Sequence, residues 1–467
     1  MSEASAAADS YSPHLRTALL LTGIGTDGAY HAGVLRALHD AGVKIDVASG
    51  RGVGAVGAMF TAIDAGARLW DERGFWRVPA TRQFYPFRPA IRGAARAVAL
   101  AIAIVAVPLA VMAAGLVVFP IDFLLKMVGL GGASGLTGWY LGLAQTAFAP
   151  EGLPTWVPRL VVLVLGAAGL AVAVTGARIR SPRAQQGAWW WRYLPPPLAA
   201  EPAIAHAWTV LWDLLRGATS LREPSHRELG RRYTEMLGEN VRQPGFYELV
   251  LVAHDVDAHR DLIFALVHER QRREGMGRQT RADADERRAE VFDLGGVARE
   301  HFADAIAAAL TLPVVTEYHA TTFTTDSYWR GETHRLCDRV GSLPRLVDEL
   351  AAMGVAQIVL VAAAPEPGGP HTLSASPIAG RARVGEFLRS EEAAAIHDAL
   401  ATASRCGVQV FTIRPEHNPV GPLDFDGSFD ERSSRRHVVD ELIALGYEDA
   451  YRQFIEPVVG ASGETVG

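Results

Sequence analysis

Cysteine is almost absent from this chain. Its two copies, Cys337 and Cys406, lie far apart in 467 residues, which excludes a disulfide framework and fits a reducing compartment. Basic charge is not in excess either. Lys and Arg number 45 against 51 Asp and Glu, a formal charge of −6, so there is no electrostatic footprint for nucleic acid. Residues 1–13 are rich in Ala and Ser and acidic, and match neither a secretory signal nor a transit peptide. No internal repeat of diagnostic period is present.

Charge itself is missing from two windows. Between Arg96 and Asp122 the run 97–121 holds only uncharged residues, mostly Ala, Val, Leu and Ile. As a helix of about 25 residues it reaches about 37 Å, enough to cross a hydrocarbon core with some tilt, and Pro108 is tolerated in such a helix. The second window, 160–177, lies between Arg159 and Arg178 and reaches about 27 Å, a span without slack. The two predict an inserted transmembrane hairpin; the competing expectation is a pair of buried core helices or a hydrophobic cap. Arg82, Arg88, Arg92 and Arg96 precede the first window, and Arg178, Arg180, Arg183 and Arg192 follow the second. By the positive-inside rule both flanks face the cytoplasm. The segment 122–158 is then expected outside or re-entering the bilayer. Phe84, Tyr85 and Phe87, with Trp189, Trp190, Trp191 and Tyr193, read as interfacial anchors or as an ordinary aromatic packing cluster.

The motifs lie on either side of this insertion. Thr17–Leu21 is a short apolar run that gives way to the glycine loop Gly23-Ile24-Gly25-Thr26-Asp27-Gly28, and residues 30–38 read as a helix. A second strand, 43–48, runs into Gly50-Arg51-Gly52-Val53-Gly54, with a helix expected over 55–67. That pentapeptide has the shape of a nucleophile elbow, G-x-S-x-G, with glycine at the nucleophile position. Gly23, Gly25 and Gly28, with Asp46 further on, also fit a dinucleotide fingerprint, but an elbow after the second strand is foreign to that fold.

The order strand, glycine loop, helix, strand, elbow, helix resembles the patatin-like phospholipase family. His31-Ala32-Gly33-Val34-Leu35-Arg36-Ala37-Leu38 is similar to that family's H-x-G-V-L-x-A-L helix. Further on, residues 247–253 followed by His254-Asp255-Val256-Asp257 resemble the family strand that ends in a T-D-x-D turn. A helix over 302–310 leads to Leu312-Pro313, and Asp338-Arg339-Val340-Gly341-Ser342-Leu343-Pro344 stands where the family keeps its dyad aspartate. A helix (345–353), a strand (357–362) and the segment 411–425 complete the match. The resemblance implies a three-layer α/β/α domain with a mostly parallel central sheet, interrupted by the membrane hairpin. It also implies an oxyanion loop at Gly23, Ile24, Gly25, Asp27 and Gly28, and an elbow at Gly50, Arg51 and Gly54. Asp338 takes the dyad aspartate position.

Four departures fall on the chemistry. The serine is Gly52, the middle loop glycine is Ile24, the loop's basic residue is Asp27, and Arg339 and Val340 replace the glycines after Asp338. Removing the nucleophile of such a unit costs about a millionfold in turnover. The expected function is therefore a membrane-anchored relative of lipid acyl hydrolases that binds lipid or a partner as a scaffold or regulator without catalysis. The alternative is an active acyl-ester hydrolase that uses Ser49 as nucleophile or Asp338 as base on water. Cys337 with His334 offers a further Cys–His arrangement, against a plain buried cysteine.

The expected organisation is a disordered tail over 1–14 and a first α/β half over 15–90. The hairpin follows over 91–180, then a helical connector over 181–245 with a helix at 203–215. A second α/β half covers 246–456, and a tail 457–467. Residues 269–288 are charged throughout and read as a mobile surface loop. Four metal-ligand types fall within 254–259, but alternate residues at a strand end diverge, and no metal or other cofactor is expected. His31, Trp329, Arg330, Glu332 and His334 are the expected binding surface, with His319 and Arg335 nearby. Membrane lipids, a protein partner or a second copy of the chain are the expected partners, and nucleic acid is not. The expected location is the cell membrane, with the α/β domain on the cytoplasmic side.

Overall fold

The computed structural model describes residues 11–129, 135–178, 196–217, 222–269, 290–324, 327, 329–366, 379–429 and 435–460. Most of both expected tails, the Trp189–Tyr193 cluster with Arg180, Arg183 and Arg192, and the charged segment from 270 to 288 lie outside them. The chain divides into two units, Met1–Pro86 with Ala199–Gly467, and Phe87–Leu198.

The first unit opens with β1 (Thr17–Thr22), α1 (Asp27–Asp40), β2 (Val47–Gly50), α2 (Gly54–Thr61) and the short α3 (Ala67–Trp70). The second unit holds α4 (Pro89–Met127), α5 (Leu136–Ala147) and α6 (Leu153–Arg178). The first resumes with α7 (Glu201–Leu215), α8 (His226–Asn240), β3 (Glu248–Asp255), β4 (Arg260–Leu266), β5 (Glu290–Asp293) and α9 (Phe302–Ala309). Then come β6 (His319–Thr322), β7 (Thr333–Cys337), α10 (Leu343–Ala352), β8 (Gln357–Ala362), α11 (Gly380–Cys406) and β9 (Gln409–Ile413). The short strands β10 (Ser428–Phe429) and β11 (Arg436–His437) pair with each other, and α12 (Glu441–Ala450) follows.

The main sheet runs β5-β4-β3-β2-β1-β8-β9 and is mostly parallel, with helices flanking it. All six residues of β1 and of β8 are buried, which explains why these strands read as unbroken apolar runs rather than alternating ones. The expected α/β class is therefore observed. One local expectation is corrected, and two features are added. The helix expected over 55–67 stops at Thr61, because Asp64 adopts a left-handed φ of 52° that no helix continues. The turn after β3 leads into an antiparallel hairpin partner, β4, so the sheet is mixed on that side. Segment 122–158 contains the helix α5.

In the second unit α4 runs unbroken through Pro108 and Pro120. Both α4 and α6 are long and apolar enough to cross a membrane, with mean hydropathies of 2.7 and 2.3 over their most apolar windows. Only 6 % and 0 % of those windows is buried, unlike the mostly buried core helix of a soluble domain. Among the few residues this unit buries are the polar Asp122 and Tyr140. The Thr137 hydroxyl donates to Asp122 at 2.8 Å, Lys126 pairs with the same carboxylate at 2.6 Å, and the Tyr140 hydroxyl donates to the Val111 carbonyl at 2.9 Å. These contacts seat α5 on α4.

Candidate functional site

β1 and β2 pair in parallel with Leu21 opposite Gly50, so the glycine loop after one strand lies beside the turn after the other. The turn is sharp: Gly50 ends β2, Gly52 takes φ +57°, and Gly54 already begins α2. A Cβ placed on Gly52 would lie 2.2 Å from the Gly23 carbonyl oxygen and 3.2 Å from Asp338 Oδ2. The backbone geometry of an elbow is present, and the space for its side chain is filled.

The amides that would stabilise an oxyanion are bonded internally. In an elbow hydrolase one donor is the N–H after the nucleophile; here the Val53 N–H donates to the Gly23 carbonyl at 3.0 Å. The Ile24 N–H donates to Asp27 Oδ2 at 2.8 Å. The Thr26 N–H and hydroxyl donate to the Pro422 and Gly421 carbonyls at 2.9 and 2.8 Å. At Gly25 the close approach is extreme, since a Cβ there would meet the Pro422 carbonyl oxygen at 2.0 Å. The loop is thus covered by the segment around Pro422.

Arg51 fills the rest. Its side chain is 0 % exposed. Nη1 donates to Asp338 Oδ2 at 2.5 Å, Nη2 to Glu392 on α11, and Nε to the Thr22 hydroxyl at 3.1 Å. The Thr22 hydroxyl in turn donates to Glu392. One guanidinium therefore ties β1, the residue after β7 and α11 together directly. Burial opposes its charge, but Asp338 and Glu392 hold the Arg51 pKa above its ordinary value. Burial raises the pKa of Asp338 and Asp27, and pushes Glu392 up to about 7, in each case against the pull of neighbouring guanidiniums. Three buried carboxyls face two guanidiniums, Arg51 and Arg389. All ionised, they would leave one uncompensated negative charge, so the cluster favours retaining a proton.

The remaining candidates lie apart from this node or are already engaged. His31 bonds the Thr22 carbonyl through Nε2 at 3.0 Å, and burial lowers its pKa to about 4. Ser49 is buried in β2, and its hydroxyl has no hydrogen-bond partner among the described residues. Cys337 is buried, its thiol pushed up to about 12 by desolvation and then by Asp338, so it is not a thiolate at neutral pH. His334 bonds Asp255 at 2.6 Å and Glu332 at 3.3 Å. Burial works against that imidazolium, yet the carboxylates outweigh it and raise its pKa. Trp329 packs against His334 with ring centroids 4.5 Å apart, while Arg330 is exposed. Four of the five expected surface residues therefore share the β6–β7 region, and buried His31 is separate from them. Arg335 is engaged with Asp257, and His319 bonds Asp304 at 2.8 Å. Asp46 accepts the Thr17 N–H at 2.9 Å, before β2 begins; a ribose-binding carboxylate would follow that strand.

Glu392 and Arg389 are the site residues that the motifs did not disclose; Pro422 lies inside the matched segment 411–425, which does not reveal its place over the glycine loop. A signal for Glu392 exists. Leu388, Ala395, Ile396 and Ala399 form the buried stripe of α11, and Glu392 falls inside it. A carboxyl on an apolar stripe requires a buried cation.

No protein-family model matches the chain, and no curated protein matches it. Among solved structures the chain is similar to the crystal structure of VipD from Legionella pneumophila. The likeness has a TM-score of 0.26 and 11 % sequence identity, over 95 % of this chain and 67 % of that one. A likeness of that size says nothing about activity.

Proposed function

We propose that this chain is a membrane-anchored, patatin-like protein that does not hydrolyse acyl esters and acts as a lipid- or partner-binding scaffold or regulator. The observation that carries the reading is the Gly23 carbonyl oxygen, 2.2 Å from where a nucleophile's Cβ would stand. The internally bonded Val53 and Ile24 amides support it, because preorganised donors are usually the largest contribution to such catalysis. Asp338 supports it as well: its Oδ2 is taken up by Arg51 and its side chain is closed off from the surface.

Membrane anchoring rests on α4 and α6, and the local chain path supports two crossings. The Ala199 N–H donates to the Pro86 carbonyl at 3.1 Å, and the Arg88 N–H to the Pro197 carbonyl at 2.9 Å. Chain leaving and returning side by side crosses an even number of times. With 12 residues, α5 reaches only about 18 Å and cannot span a hydrocarbon core of about 30 Å; it re-enters from the outer side or lies there. Arginines on both flanks orient the α/β unit towards the cytoplasm. Membrane lipids and a protein partner or second copy are then the partners within reach.

A fluorophosphonate probe applied to the full chain in membranes tests the reading. No covalent label is expected, and labelling abolished by Ser49→Ala would overturn it in favour of a relocated nucleophile.

A further inference from the structure

At the opposite end of the sheet from Gly52, the ends of α1 and α2 converge on a cleft of ≈ 60 Å³, room for about four waters. Its lining includes Leu38 and His39 from the end of α1, Thr61 from the end of α2, and Asp64, Trp70 and Tyr247. The carbonyl ends of two helices carry partial negative charge. The Asp64 carboxylate adds a full one, held by a left-handed turn in which its N–H donates to the Thr61 carbonyl at 2.9 Å. Trp70 stands edge-on to His39 at 6.2 Å between centroids, and the Tyr247 N–H donates to the Ala62 carbonyl at 2.9 Å. Burial and then the Asp64 charge raise the Tyr247 pKa, so that carboxylate is felt at the ring. Among the described residues, no lysine or arginine lines the cleft.

We propose that this cleft binds a small alkylated ammonium ion, with aromatic rings against its methyl groups and Asp64 against its charge. Ring faces attract such cations. Asp64 is exposed, so a neutral apolar ligand of the same shape gains nothing from its carboxylate, and an anionic group meets repulsion from it. The site therefore selects a free ammonium compound over a zwitterionic phosphate ester that carries the same head. It is independent of the acyl-hydrolase reading and of the membrane unit.

Calorimetric titration of the detergent-solubilised full chain at about pH 8, where free histidine is neutral, tests it with three probes. These are choline, its neutral isostere 3,3-dimethylbutan-1-ol, and phosphocholine. Choline is expected to bind saturably and about tenfold more tightly than either of the others, the scale of one charge or cation–π contact. Asp64→Asn and Trp70→Ala should each weaken choline by about five- to tenfold. Asn tolerates the left-handed turn, so an unchanged melting temperature of Asp64→Asn shows that the loss is local. The isostere or phosphocholine matching choline, or no saturable choline binding by a folded protein, would overturn the proposal.

Discussion

The two units of this chain are packed in opposite senses. In the α/β unit, Leu19 and Val359 are fully buried at 0 %, and interior charges are paired, as Arg51 is with Asp338. In the unit from Phe87 to Leu198, Leu116 is 78 % and Leu163 67 % exposed, while Tyr140 and Asp122 are buried at 8 % and 3 %. One sequence thus carries two solutions to the same problem. Where water surrounds the fold, apolar surface is hidden and an interior charge needs a partner. Where apolar side chains face outwards, as the proposed membrane setting requires, polar groups are the ones that must be satisfied inside.

Removing the second solution should have the largest effect. Deleting 97–177 takes away both apolar windows, and membrane fractionation should show the protein moving from the detergent-dependent to the soluble fraction. Full-length protein soluble without detergent would break the comparison. Next in size is the interior charge. Arg51→Ala leaves Asp338 and Glu392 buried without their shared cation, and should cost about 3–5 kcal/mol, read as a lowered denaturation midpoint. Arg51→Lys should recover little of it, because an ammonium cannot fork to both carboxylates and Thr22 at once.

The smallest effect is a matter of slope. Glu392 titrates near 4.5 as a free side chain and near 7 in the fold, so the folded state holds that proton more tightly. Its contribution is present in full below about pH 4.5 and is lost as pH rises through about 7. The wild-type midpoint relative to Glu392→Gln should therefore fall between pH 5 and pH 8. Buried His31, which titrates near 4, contributes in the opposite direction but equally to both proteins. A difference constant with pH would place the retained proton elsewhere in the cluster.

The sequence disclosed unevenly. Central strands were legible because burial on both faces leaves unbroken apolar runs, and β8 coincides with its expected bounds of 357–362. The glycine loop and turn were legible because few residue types adopt those backbone angles. The contents of the site were not, because they depend on contacts distant in the chain. Arg51 and Glu392 are separated by 341 residues, and Pro422 reaches Gly25 from a segment that has no periodic signal. α5 was hidden for a related reason: it is held by Asp122 and Gly115 across the helix pair, not by its own pattern.

The closed turn itself can be tested most directly by returning the missing side chain. Gly52→Ser, incubated with a fluorophosphonate probe and analysed by intact mass, should show no adduct above wild type. Its denaturation midpoint should also be lower, because the new Cβ meets the Gly23 carbonyl in a left-handed turn. A stoichiometric adduct on the introduced serine, with a folded protein and new esterase turnover, would contradict the account and return the site to catalysis.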